Sequence, residues 1–286
     1  MIHFIFDKIG IPILIVINVL LLFLETQFQL RKRVQRKRTR TIINTVVSIP
    51  AFALLRFAFL PVMVWIAYKN QDWQLGLNYL YNLPSWTKAI IAFLILDYGN
   101  YAWHILNHKL PFLWRFHLVH HTDHDLDITT AFRFHFGELI GSVFFRGAIT
   151  FLSGASPETV LIYEIIFEAA TQFHHSNWKL PFAFEKMLNK LIVTPRMHGI
   201  HHSVVRAETD SNFSVIFSFW DRLHSTVRLN VAQDRIVIGV PTYQNAEELT
   251  VGYLLKLPFT KIRQWKAEGT PLNMPKSSEN INVLNK

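Results

Sequence analysis

Histidine carries the strongest chemical signal in this sequence. The chain has 286 residues and 14 histidines, most of which fall between His104 and His202. The clusters are His104-xxx-His108, His117-xx-His120-His121, His174-His175 and His198-xx-His201-His202, with His135 standing alone between the second and the third. The chain contains no cysteine, which excludes disulfides, thiolate catalysis and cysteine-bound metal centres. Any transition metal in this protein must therefore be bound by imidazole or carboxylate groups.

The repeated HxxHH spacing, at His117 and again at His198, is typical of a metal site. On a helix, side chains three and four positions apart project from the same side. Three imidazoles crowded there repel one another when protonated and pack poorly when neutral, unless a cation binds them. Catalytic zinc needs three protein ligands, so this number of histidines favours two metals. We predict that residues i and i+4 of each motif bind one metal and that the middle histidine binds the other.

Acidic residues lie close to two of these clusters. Asp97 shares a helix face with His104, and a metal-binding histidine usually donates its second N–H to such a group. We therefore predict that Asp97 orients a histidine. Glu164, Glu168, Gln172 and His175 also step along one helix face. They suggest supporting groups or a proton route, and the alternative is that Glu164 faces the opposite membrane surface.

The elements that must position these residues are membrane helices. Hydrophobic residues make up 50% of the chain, charged residues only 17%, and the mean hydropathy is +0.20, whereas soluble domains carry about 25% charged residues. The apolar stretches are Ile9–Leu24, Ile42–Tyr68, Thr87–Asn107 and Leu139–Phe173. They predict an all-α integral membrane protein with four to five embedded helices. The last stretch is expected to form a helical hairpin, and Pro50 and Pro61 are expected to kink the second.

Positive charge sets the expected orientation. The net charge is +9, and its densest block is Arg31–Arg40, directly after the first apolar stretch. Such a block is typical of the cytoplasmic end of a span and attracts anionic lipid, so we reject nucleic-acid binding. A signal peptide would carry its basic residues before the apolar segment, so we expect a retained helix. Following the spans from there brings every histidine cluster to the cytoplasmic side, in a multi-pass protein whose helical cap holds the histidines.

Taken together, these motifs resemble the fatty acid hydroxylase/sterol desaturase superfamily of membrane histidine-box enzymes. The resemblance covers about Asp97 to Thr226. Its carriers are Asp97-Tyr, the four histidine clusters, His135 with Glu138, Asn177, Thr194-Pro before His198, and Asn212-Phe with Trp220-Asp-Arg-Leu and Ser225-Thr226. One departure is Phe136, which stands where the family usually has a proline after the histidine at position 135.

The resemblance implies a non-haem di-iron centre and a set of site residues. The implied ligands are His104, His108, His117, His120, His121, His135, His174, His175, His198, His201 and His202, of which His174 matches its family position less well than His175. Asp97, Glu138 and Asn177 are the expected supporting residues around them. Zinc is an expected substitute in purified protein, because imidazole suits iron and zinc alike.

The resemblance further implies that molecular oxygen is the oxidant and that a separate ferredoxin- or cytochrome-type donor supplies electrons. We expect residues 1–90 to form N-terminal membrane helices with the basic loop 31–40, and residues 91–228 to form the catalytic domain. Residues 229–273 are expected to form a cytoplasmic cap with a β-like run at Arg235–Val240, and residues 274–286 a disordered tail.

The expected activity is O2-dependent hydroxylation of a C–H bond in a sterol, fatty acyl, carotenoid or ether lipid. A desaturase with the same metal centre is the first alternative. A transition-metal transporter is less favoured, because transporters place their ligands near the bilayer midplane, whereas these histidines gather at helix ends. A membrane zinc hydrolase usually needs an acid within a motif such as HExxH, which does not occur here.

Overall fold

The computed structural model describes residues 6–265, and within that range the protein is helical with no β-strand. A π-helical turn at Phe6–Gly10 leads into the first α-helix. The α-helices are α1 (Ile11–Gln27), α2 (Lys37–Leu54), α3 (Leu60–Trp73), α4 (Ser85–Lys109), α5 (Pro111–His121), α6 (Phe136–Ser153), α7 (Pro157–His175), α8 (Phe182–Leu188), α9 (Pro195–His201), α10 (Arg206–Thr209), α11 (Phe219–Leu223) and α12 (Val251–Lys256). The predicted all-α fold is confirmed. His3 and the predicted tail 274–286 lie outside the described residues.

Four stretches are long and apolar enough to cross a membrane. They are Phe6–Gln27, Lys37–Tyr79, Ser85–Lys109 and Phe136–Ser153. The predicted hairpin is formed by α6 and α7, which are separated at Gly154, where a left-handed backbone (φ 69°) ends the first helix. Helix α7 is 19 residues long but carries Glu158, Glu164 and Glu168, so it is less apolar than the other four.

Helices α2 and α3 form one long rod. A π-helical turn at Leu55–Phe59 joins them, Pro50 lies inside α2, and Pro61 lies in the first turn of α3. From residue 37 to residue 73 the rod is roughly 55 Å long at 1.5 Å per residue, whereas a bilayer core is about 30 Å thick. The first turns of α2 therefore extend beyond the apolar layer and reach the polar end of the molecule.

A buried ionic network lies at that end, between α2 and the loop that follows α5. Arg40 is 2% exposed, and its guanidinium donates to Asp123 at 2.8 Å and to Asp127 at 2.7 and 2.5 Å. Asn44 donates to the other oxygen of Asp123 at 2.9 Å. Arg133 donates to the Asn44 side chain at 2.8 Å. These contacts fix the loop that carries the chain away from the His117 cluster.

Two expectations need correction. The run Arg235–Val240 forms no strand; Ile238 makes a single antiparallel bridge with Ser203, because no neighbouring extended segment extends the pairing. The basic run 31–40 is not simply a lipid-facing patch. Arg31 is buried and donates to Gln233, and Arg40 is bound in the network described above, while Lys32 and Arg36 between them are exposed.

Candidate metal centre

Nine histidines converge at one end of the helical bundle, in two groups. Group A consists of His104, His108, His117, His121 and His201, and group B of His120, His175, His198 and His202. Within each group, the candidate ligand atoms all lie within 4.8 Å of one another. Helices α4, α5 and α9 supply group A, whereas α5, α7 and α9, with the residue that follows α9, supply group B. Each HxxHH motif is divided between the groups as the helical spacing predicts, with the middle histidine in the opposite group from its two neighbours.

The Nε2 atoms of these histidines face one another. In group B the Nε2–Nε2 distances are 3.0 Å from His120 to His175, 3.0 Å from His175 to His198 and 3.1 Å from His198 to His202. In group A, His117 and His121 are 3.2 Å apart through the same atoms. Metal–imidazole bonds of about 2.0–2.1 Å place ligand nitrogens about 2.9 Å apart at a right angle and about 3.3 Å apart at a tetrahedral angle. The observed distances fall within that interval.

One irregular segment after α10, residues 211–215, orients three of the histidines through its backbone. The carbonyl oxygen of Ser211 lies 2.8 Å from Nδ1 of His201, that of Phe213 lies 2.8 Å from Nδ1 of His104, and that of Val215 lies 3.1 Å from Nδ1 of His174. Since a carbonyl oxygen only accepts, each Nδ1 carries the proton. The Nε2 atom of each ring is then left with a free lone pair, which is the form that binds a metal.

Asp221 holds this carbonyl segment in place. Its carboxylate accepts from the backbone N–H groups of Phe213 at 2.8 Å and Ser214 at 2.9 Å. The Asn212 side chain donates to the backbone of Met197, next to His198, at 2.9 Å. The sequence placed Asn212, Phe213 and Asp221 among the residues that carry the family resemblance but indicated no physical role for them. The carbonyls that face the histidines come from every second residue of this segment, in which Asn212 has a left-handed backbone (φ 57°), and residue types alone do not reveal which carbonyls point inward.

Glu138 is the carboxylate that supports the histidines. Its Oε1 accepts from His117 Nδ1 at 3.0 Å and from the Asn107 side chain at 3.3 Å. This bond fixes the His117 tautomer in the way that a carboxylate usually orients a metal-binding imidazole. The second oxygen, Oε2, is buried and has no hydrogen-bond partner among the described residues. Glu138 touches group A alone, so group B is built without a carboxylate contact from this residue.

Burial keeps five histidines of the two HxxHH motifs neutral. It lowers the pKa of His120, His121, His198, His201 and His202 well below the ordinary histidine value, and the neighbouring imidazoles lower each pKa further. A neutral imidazole is the metal-binding form, whereas a protonated one cannot coordinate. These five histidines are therefore in their ligand form at neutral pH.

Buried polar atoms without partners test whether the cluster fits metal ions. Both ring nitrogens of His108 and Nε2 of His201 are buried and accept or donate no hydrogen bond among the described residues. Such orphaned groups are costly, and a metal or an ordered water is the usual explanation. In group B, His175 already donates from Nδ1 to the Thr171 carbonyl at 2.8 Å. Its Nε2 is then an acceptor lying against two further Nε2 atoms, an arrangement that a cation relieves.

Two residues of the expected ligand set lie outside both groups. His135 caps helix α6: its Nδ1 accepts from the Gly137 N–H at 3.0 Å, and its Nε2 lies 3.1 Å from the Leu255 carbonyl. Both of its nitrogens are therefore used. His174 packs its ring 4.2 Å from that of His198, between centroids, but it belongs to neither group.

Asp97 and Asn177 support other parts of the structure. Asp97 accepts from the Trp220 indole N–H at 2.8 Å and from the Phe217 backbone at 3.3 Å, so the expectation that it orients a histidine is wrong. Asn177 makes two hydrogen bonds to the backbone of Arg31, at 2.9 and 2.8 Å. Both residues attach distant segments to the cluster without touching an imidazole. Local helical spacing does not reveal these partners, because they lie more than a hundred residues away.

Two cavities meet beside the cluster. The inner cavity, of about 70 Å³, is lined by His104, His117, His120, His175 and His198 among others. The outer cavity, of about 100 Å³, extends between α2, α4, α6 and α7. Asn100, Trp103, Phe134, Glu138 and Phe167 line both. The outer cavity borders Phe52, whose side chain is 44% exposed on the side of the bundle. The two cavities therefore lie next to each other between the lateral surface and the histidines.

Comparison with known proteins agrees with this site. A model of the fatty acid hydroxylase family matches residues 89–226. The chain is 26% identical to cholesterol 25-hydroxylase of Rattus norvegicus over 168 residues, covering 58% of this chain and 55% of the rat protein. It is 29% identical to alkylglycerol monooxygenase of Danio rerio over 187 residues, covering 65% and 40% of the two chains. It is 29% identical to ornithine lipid hydroxylase OlsE of Rhizobium tropici over 180 residues, covering 62% and 52%.

These matches confirm the resemblance to the fatty acid hydroxylase/sterol desaturase superfamily. The chain spans about half the length of the curated relatives it matches. No solved structure matches it. The matched range contains all nine histidines of groups A and B, together with Glu138 and the carbonyl segment.

Proposed function

Proceeding from its place in the fatty acid hydroxylase/sterol desaturase superfamily, we propose that this chain is a membrane-embedded, O2-dependent lipid hydroxylase with two iron ions. The observation that carries the proposal is the division of nine histidines, eight buried and His104 half-buried, into two groups, within each of which the ligand atoms lie within 4.8 Å of one another. One histidine group would hold each iron. Bound iron would supply activation of O2 for oxidation of a C–H bond.

The protein's own contribution is to hold the ligands and to exclude water. The carbonyls of Ser211 and Phe213, with the Glu138 carboxylate, keep the Nδ1 protons of His201, His104 and His117 in place and aim each Nε2 inward. Trp103 and Phe167 line both cavities. Their rings make the cavity walls largely apolar, so a hydrocarbon is favoured there over water, and exclusion of water protects a reactive centre from side reactions.

The relatives support hydroxylation of a lipid. The three named above are described as a cholesterol 25-hydroxylase, an alkylglycerol monooxygenase and an ornithine lipid hydroxylase, and each of these names states insertion of oxygen. For this chain the balanced reaction is R–H + O2 + 2e⁻ + 2H⁺ → R–OH + H2O. We propose that the two electrons come from a separate ferredoxin- or cytochrome-type protein.

We further propose that the centre faces the cytoplasm. The basic segment 31–40 lies at the same end of the bundle as the histidines, since Arg31 binds Asn177, two residues after His175, and Gln35 binds His124. Positively charged segments next to membrane spans remain on the cytoplasmic side.

Mass spectrometry of lipid extracts tests this function. Purified protein, loaded with iron and supplied with ¹⁸O2 and a chemical reductant, is expected to add one labelled oxygen to a lipid. A product that has lost two hydrogens and gained no oxygen would identify a desaturase instead. Iron analysis of the same sample is expected to give two ions per chain. Protein that retains a single ion, or that forms no product with both ions bound, would overturn the proposal.

A further inference from the structure

One carboxyl group in the outer cavity has no partner. Glu168 is half-buried and lines this cavity from α7, and its side chain makes no hydrogen bond or ion pair with any residue between 6 and 265. Polar groups in the interior of a membrane bundle are nearly always paired, because an isolated one is costly there. The unpaired group in Glu168 therefore points to a binding role rather than a structural one.

The neighbouring charges are already balanced. Arg146 donates to Glu164 at 2.5 Å, and its guanidinium is packed between the rings of Phe59, at 4.5 Å, and Phe167, at 4.7 Å. Glu164 is 7% exposed, so the alternative that it faces the opposite membrane surface is wrong. Because this pair neutralises itself, Glu168 and Glu138, whose bonded partners His117 and Asn107 lie on the side of the histidines, leave the wall of the outer cavity with an excess of carboxyl over cation.

This excess of carboxyl groups determines which polar group of a ligand the outer cavity can accept. A carboxylate or phosphate entering the cavity would meet a like charge in an apolar surrounding, which is strongly unfavourable. A hydroxyl group meets no such barrier. It can donate to Glu168 when that group is ionised and can both donate and accept when it is protonated. An unsubstituted hydrocarbon would leave Glu168 unpaired and gain nothing from it.

The position of Glu168 relative to the histidines also limits the ligand. Glu168 and His175 lie on the same face of α7, seven residues apart, which corresponds to roughly 10 Å along the helix. The cavity that Glu168 lines adjoins the inner cavity, and Asn100, Trp103 and Phe134 are walls that the two share. A ligand held at Glu168 therefore directs its apolar part toward group B.

We propose that Glu168 binds the hydroxyl group of an uncharged lipid lying in the outer cavity, with the oxidised carbon roughly 10 Å from that hydroxyl. That the bound lipid is then oxidised rests on the proposed function, whereas binding of the lipid at Glu168 needs no metal. In an extended chain, this separation corresponds to about eight bonds between the hydroxyl-bearing carbon and the reacting one. Glu168 is thus assigned as the residue that selects the substrate's polar group.

Fluorescence quenching provides the test, because Trp103 lines both cavities. Purified protein in detergent is titrated with two brominated probes of equal chain length, a primary alcohol and an alkane. The signal of Trp103 is isolated by subtracting that of Trp103→Phe. We expect the alcohol to bind about tenfold more tightly than the alkane, as one hydrogen bond to a charged acceptor requires. A brominated carboxylate of the same length is expected to bind more weakly than the alcohol.

Variants at two positions of α7 decide whether Glu168 is responsible. Glu168→Leu is expected to remove the preference for the alcohol while leaving alkane binding intact. Glu158→Leu, at an exposed position on the same helix, is the matched control and should retain the preference. Equal binding of alcohol and alkane by the unsubstituted protein would overturn the inference without any variant. So would a Glu168→Leu variant that still prefers the alcohol.

Failure of the proposed function would give different results from failure of the proposed role of Glu168. Iron content and product formation are measured on the same preparations. Normal probe binding with no iron or no oxygenated product would leave this inference standing and reject the hydroxylase. Two irons and a hydroxylated product, together with no alcohol preference, would reject the role of Glu168 alone.

Discussion

Each HxxHH motif gives two histidines to one group and one to the other, and the two motifs do so in opposite senses. His117 and His121 lie in group A and His120 in group B, whereas His198 and His202 lie in group B and His201 in group A. Neither motif could form a site alone. The crossed arrangement means that α5 and α9 must be packed together before either group is complete.

The two groups differ in what holds them. Group A has five histidines, with the Glu138 carboxylate bound to one and backbone carbonyls bound to two others. Group B has four, and the protein atom that orients one of them is the Thr171 carbonyl within the same helix. A cation in group A therefore has a negative charge nearby in Glu138, whereas group B relies on neutral imidazoles. The same ligand type thus gives two electrostatically different sites.

The largest expected effect comes from substituting adjacent histidines in the first motif. Because they belong to different groups, His120→Ala is expected to lose the group B metal and His121→Ala the group A metal, each with product formation reduced to background. Metal content per chain and Mössbauer spectra of iron-57 protein measure which ion remains. If the iron that remains gave the same spectrum in both variants, His120 and His121 would not bind different metals.

The buried ionic network is expected to affect both groups equally. Arg40→Ala leaves Asp123 and Asp127 buried without their cation, which typically costs about 3–5 kcal/mol. The free energy of unfolding in detergent, from a denaturant titration, measures this loss. Arg38→Ala, at an exposed position on the same helix, is the control and should change little. An Arg40→Ala protein as stable as the control would show that the network has no structural role.

Glu138 should distinguish the groups. Glu138→Ala is expected to lower the metal affinity of group A by about 10–100-fold, as loss of an orienting carboxylate usually does, and to leave group B unchanged. Glu138→Gln retains an acceptor for His117 but not the charge. Its group A metal affinity should therefore lie between that of the unsubstituted protein and that of Glu138→Ala. Competitive chelator titrations measure both affinities. An equal loss of metal affinity in both groups would show that Glu138 does not make the two groups electrostatically different.

The smallest effect is expected at His135. His135→Ala removes the cap of α6 and should lower the free energy of unfolding by about 1 kcal/mol, while both metals remain. Thermal denaturation with parallel metal analysis checks this outcome. Loss of a metal would show that His135 is a ligand, as the family resemblance implied.

Sequence periodicity predicted the features that depend on neighbouring residues. The membrane helices follow from apolar stretches of sufficient length, the hairpin from the Gly154–Pro157 break, and the division of each HxxHH from the helical repeat. The membrane helices, the hairpin and the division of each motif all depend on residues that are close to one another in the sequence.

Features that depend on distant partners were not predicted. Asp97 pairs with Trp220, 123 residues away, and Arg40 pairs with Asp127, 87 residues away. The sequence offers some signal for the second case, since three aspartates alternate at positions 123, 125 and 127 after His121 and a basic run occurs earlier. The carbonyls of Ser211, Phe213 and Val215 give no such signal, because any residue type can supply a carbonyl.

The most direct test of the two-group centre is anomalous X-ray diffraction from crystals of iron-loaded protein, collected at the iron absorption edge. Two separate peaks are expected, one surrounded by the ligand nitrogens of group A and the other by those of group B. A single peak shared by all nine histidines, or iron bound elsewhere on the chain, would contradict the two-group centre.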